Sequence, residues 1–168
     1  MSDRSLGLRV LEAIVQELEI AAQGPDAPEG VRVWRNRLRP LERTEDREVL
    51  VYTSPGIGTT PPESVESASL GPDGTERRRR QIVIELRQKL PYAGAAAISL
   101  EEALDQIYVW VVRTICGAGR LGGLLVRTPR EEAVQWDWEE TSQSIYALAA
   151  VTMAIEYETV RGDPAGEV

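Results

Sequence analysis

"SIYALAAVTMAIEYETV", residues 144–160, decides the fold class, because it can be read as a helix or as a strand. Its alanines suit a helix. Yet Ile145, Ala147, Ala149, Val151, Met153, Ile155 and Tyr157 fall on one face at period two, with Thr152, Glu156 and Glu158 opposite. The β-branched and aromatic content of "VTMAIEYETV" also favours a strand. Just upstream, Val134, Trp136 and Trp138 alternate with Gln135, Asp137 and Glu139. The spacing predicts two long antiparallel strands that turn near 140–143.

Working outward, Leu8, Leu11, Ile14, Val15, Leu18 and Ala22 form one apolar stripe and predict a helix over 3–23, ended by Gly24-Pro25. A second helix is predicted over 99–116, where "SLEE" is a capping box and Leu100, Leu104, Ile107, Val111 and Ile115 give the buried stripe. Strands are predicted at about 31–39 and 48–53, joined as a hairpin by the charged "PLERTEDRE". Residues 54–75 are rich in Gly and Pro, and their inner part predicts a hairpin turning at Pro72-Asp73-Gly74. The returning arm carries Arg77, Arg78, Arg79 and Arg80 into the strand "QIVIEL".

The expected architecture is therefore α+β: two helices packed on one face of a mainly antiparallel β-sheet, with a β-hairpin arm. One domain is expected over 1–168, with an arm or loop at about 54–80 and a short flexible tail at about 161–168. Ile82, Ile84 and Leu86 share a face that Arg78 and Arg80 continue. Charges on a core face are costly without partners, so this end of the arm is expected to project past the core as an outrigger.

Composition narrows the chemistry. The chain carries a net charge of −8 and has no histidine, which removes the commonest general base and most zinc sites. Eighteen of its nineteen basic residues are arginine, suited to bidentate carboxylate contacts. Cys116 is alone and has no histidine to activate it. The glycines of "GAGRLGG", 117–123, follow a helix rather than precede one, so they read as a cap and turn, not a phosphate loop. The acidic pairs Glu101-Glu102, Glu131-Glu132, Glu139-Glu140 and Glu156 with Glu158 fit a helix start, solvated faces and turns better than a two-carboxylate hydrolase. No leader and no stretch long enough to span a bilayer is found, and an unsecreted protein is expected. No catalytic set, cofactor site or metal site is predicted, and no enzyme.

What remains is surface for partners. Arg35, Arg37 and Arg39 share one face of their strand. Trp34 and Trp110 sit on elements that already have another apolar side, which suits an interface, whereas Trp136 and Trp138 suit core packing. The run Arg77–Arg80 fits a solvated gatekeeping strand end, a contact to acidic protein surface, or nucleic acid.

The order of these segments resembles the tail terminator (minor tail, gene U-like) proteins of long-tailed bacteriophages. The resemblance runs through the opening helix, "GVRVWRNRL", "REVLVYTS", "RQIVIELRQKL", "SLEEALDQIYVWVVRTI", "LGGLLV" and "EEAVQWDWEETSQSIYALAAVTMAIEYETV". It spans most of the chain without a diagnostic motif. It implies a structural virion protein at the head-proximal end of the tail, assembled in the host cytoplasm. There it would form a ring, a homohexamer, that caps the tail tube, stops its polymerisation and presents a head-joining surface. Implied partners are other copies of itself, the tail tube protein and a head-completion or neck protein. DNA would pass through the lumen without specific binding, and no membrane is involved. Another neck or tail-completion role and a nucleic-acid-binding regulator are the alternatives.

Overall fold

Residues 145–160 are a strand. In the computed structural model, which describes residues 5–35, 47–53, 63–67, 74–90, 100–140, 145–161 and 163–167, Ala147, Ala149, Val151, Met153, Ile155 and Tyr157 are all buried on one face. The two helices are α1 (Leu6–Ala21) and α2 (Leu100–Gly117). The strands are β1 (Val31–Arg35), β2 (Arg47–Thr53), β3 (Glu63–Ser67), β4 (Thr75–Leu90), β5 (Arg130–Glu140), β6 (Ile145–Val160) and β7 (Asp163–Glu167). Five strands lie side by side in the order β1-β2-β4-β6-β5, while β3 pairs with β4 and β7 with β6. All pairings are antiparallel except β1 with β2. The fold is α+β.

Register explains the core. Val49, Leu86 and Ala149 stand in one cross-strand row, and Val51, Ile84 and Val151 in the next. These rows pack with Val10, Leu11, Ile14 and Leu18 of α1 and Leu104, Ile107, Val111 and Ile115 of α2. Burying a side chain of this kind contributes about 1.5–3 kcal/mol. The apolar stripes of both helices thus meet one sheet face, called here the helix face. The other is the open face.

Three expectations are corrected. First, β1 and β2 do not form a hairpin: they run parallel, with Val31 opposite Arg47 and Arg35 opposite Val51. Alternation is blind to direction, since a hairpin folded about residue 41 would also set Val33 beside Val49. Parallel neighbours need a crossover instead of a tight turn, and residues 36–46 lie outside the described residues.

Second, the arginine arm is no outrigger. It does pair with β3, from Glu63 opposite Arg80 to Ser67 opposite Glu76, as the hairpin reading expects. But β4 also pairs with β6 along its whole length, from Thr75 opposite Val160 to Leu90 opposite Ile145. The arginines therefore have a strand on each side. Third, the tail expected to be flexible holds β7, with Asp163 opposite Val160 and Glu167 opposite Thr159.

Of the helix ends, the turn after α2 is as read. Ser5 occupies the cap position of α1 without a side-chain cap hydrogen bond, and Ser99 lies outside the described residues. After α2, Gly119 takes a left-handed φ of 63°, which glycine adopts without strain. The "GAGRLGG" segment is a helix end and turn.

Candidate functional site: the arginine–carboxylate face

β4 alternates, so the four consecutive arginines Arg77–Arg80 divide between the two faces. Arg77 and Arg79 lie on the open face. Arg77 donates through Nε (3.2 Å) and Nη2 (2.9 Å) to Oε1 of Glu158, its register partner on β6. Arg79 donates to Glu132, whose other carboxylate oxygen accepts from Gln81 Nε2 at 2.8 Å. A register shift between Glu131 and Ala133 carries Glu132 into this cluster. Such a bulge re-aims one side chain without ending the strand.

The Glu132 carboxyl titrates below the ordinary carboxylate range. Burial alone would raise it, but the Gln81 hydrogen bond, the Arg79 charge and hydrogen bond, and the Arg130 hydrogen bond together outweigh that. Arg127 Nε stands 3.7 Å from Glu156. Ser64, Arg77, Arg79, Arg127 and Glu156 line a small cavity of about 230 Å³.

Arg78 and Arg80 lie on the helix face, as the register predicts. The surface beneath them comes from their own chain. Arg78 donates to the buried Thr159 Oγ1 (3.1 Å) and to Glu76 (2.9 Å). Arg80 and the buried Tyr157 reach Gly7 at the start of α1, where a Cβ would fall 2.8 Å from Arg80 Nη1. Glycine permits that approach. Further along β4, Arg87 pairs with Glu139 at 2.6 Å and stacks over the Tyr146 ring at 4.4 Å.

Four of the carboxylates read from the sequence as solvated are therefore counter-ions. Glu132, Glu139, Glu156 and Glu158 each face an arginine, and Glu131 accepts from Tyr108 Oη at 2.8 Å. Sequence reasoning missed these pairings because the partners lie up to 81 residues apart.

The remaining candidates scatter. Arg35 pairs with Glu12 of α1 at 2.7 Å and ties β1 to the helix layer. Arg37 and Arg39 lie outside the described residues. Trp34 is half-buried on the open face, opposite Leu50 in register. Trp110 is in the core, not at a surface: it is 7% exposed, and the segment joining α1 to β1 approaches it across a shared groove. Trp136 packs edge-on against Tyr108, with centroids 5.7 Å apart. Trp138 is instead 55% exposed, because it sits near the end of β5. Its strand alternation alone could not show where the helix cover stops.

Burial, then the Glu131 charge, push the Cys116 thiol up. Its Sγ lies 3.6 Å from the Pro129 carbonyl. Among the described residues, no group of three His, Cys, Asp or Glu side chains is placed to hold a metal ion, and no helix is long and apolar enough to cross a membrane. No protein-family model matches the chain, and no curated protein matches it.

Proposed function

We propose that this chain is a non-catalytic assembly protein, a tail terminator that caps a phage tail tube as a ring, stops its polymerisation and presents the surface for joining the head. The observation that carries an assembly role is the outer strand β5, which pairs only with β6 among the described residues and ends with Trp138 55% exposed. A large exposed aromatic beside an open sheet edge suits a protein contact. The specific tail role comes from the resemblance in the order of segments.

The arginine run supports the reading indirectly. The guanidiniums of Arg77, Arg78 and Arg79 are held by carboxylates of the same chain, which lowers the charge they offer to phosphate. The test is a polymerisation assay with a phage tail tube protein. Tubes grown with the chain present should stop lengthening, and tubes that reach the same length with and without it would reject the proposal.

A further inference from the structure

We propose that copies of this chain join edge to edge through their sheets, with β5 of one copy receiving β1 of the next. The inference rests on the ring reading above and names its interface.

Three observations carry it. β1 and β5 end the five-strand row, beside the short flanking strands β3 and β7, so each copy offers two different row ends among the described residues. Those edges have opposite formal charge: β5 holds Arg130 against Glu131, Glu132, Asp137, Glu139 and Glu140, of which Glu132 and Glu139 also face Arg79 and Arg87, whereas β1 holds the exposed Arg32, and Arg35 paired with Glu12, and no acid. Their directions also match. β1 and β2 run one way, β4 the reverse, β6 the first way again and β5 the reverse. A neighbour related by rotation about an axis along the strands therefore brings its β1 antiparallel to β5, the arrangement that forms perpendicular main-chain hydrogen bonds.

Faces agree as well. With sheets continuous, Arg32 meets Asp137 and Glu139 on the open face, because these residues share it by register. On the helix face Val33 meets Trp136 or Trp138, which covers the exposed Trp138 ring. An interface between two different patches is head-to-tail and closes into a ring when the rotation allows.

The experiment uses the full chain at low and high salt, with assembly read by native mass spectrometry. Gln135→Arg with Asp137→Arg makes the β5 edge basic; Arg32→Glu makes the β1 edge acidic. Each variant alone should self-associate about tenfold or more weakly, since like charges then face each other. An equimolar mixture should restore assembly with the two variants alternating.

A second readout guards against a folding defect. In a Cys116→Ser background, Arg32→Cys and Asp137→Cys on separate copies should form an intermolecular disulfide. Assemblies that survive both charge variants and give no crosslink would overturn this interface while leaving the ring reading intact. A chain that stays monomeric at all concentrations and gives no crosslink would overturn the interface too, and would leave the edge charges as guards against aggregation. Edge-paired rings that do not stop tube growth would support the interface and reject the tail role.

Discussion

Arg77 and Glu158 are direct cross-strand neighbours, the guanidinium placing both Nε and Nη2 on one carboxylate oxygen at 3.2 and 2.9 Å. With Arg79–Glu132 and Arg78–Glu76, this pair makes the arginine run part of the folded sheet rather than a free basic patch. Ser at all four positions 77–80 should therefore lower stability by about 1–3 kcal/mol, since exposed pairs contribute little each and the part-buried Arg78 contributes more. Urea denaturation checks it, and an unchanged midpoint would mean that the pairs carry no stability.

Glu132 gives this cluster a pH dependence of definite sign. Its carboxyl is held below the ordinary range in the fold. The stability it contributes is present above the unfolded-state value and is lost as pH falls through the lowered folded value. Glu132→Gln should flatten the acid limb of the stability–pH curve, and Arg79→Ser should do so in part. Thermal melts across the acidic range check both.

The strand character of 145–160 was legible in the sequence because seven apolar residues alternate without interruption. The same held for α1 and α2, whose stripes and stops are local. The direction of β1 relative to β2 was not, because Val31, Val33, Val49 and Val51 share a face in either orientation. The partners of the arginines were not legible either. Glu156 and Glu158 stand out on the polar side of their strand, but only the β4–β6 register says that they meet Arg79 and Arg77. Tryptophan placement failed for a related reason: how far the helix layer extends over Trp110 and Trp138 is a property of packing, not of spacing.

Gly7→Ala should destabilise the protein, although alanine is ordinarily the better helix residue by about 1 kcal/mol. The added Cβ would overlap the hydroxyl of the buried Tyr157 and crowd Arg80. A net loss of about 1–3 kcal/mol is expected from such overpacking. Combining it with Tyr157→Phe should be less than additive, because the second change removes the clashing atom. Paired denaturation curves of the single and double variants measure that coupling.

Tyr108 should titrate above free tyrosine in a spectrophotometric titration. The hydrogen bond it donates to Glu131 raises it first, followed by burial and the charges of Glu131 and Asp105. Stability from this bond is fully present below the unfolded tyrosine value and is lost as pH rises through the folded one. Tyr108→Phe should cost about 1 kcal/mol at neutral pH and remove that alkaline loss.

We propose that copies of the chain close into a ring on the end of a tail tube. Electron microscopy of tail tubes mixed with the full chain tests it most directly. A closed ring, six-fold in its class averages, should sit on one end of each tube, and capped tubes should not lengthen when more tube protein is added. Tubes with both ends bare, lengthening as they do without the chain, would contradict it.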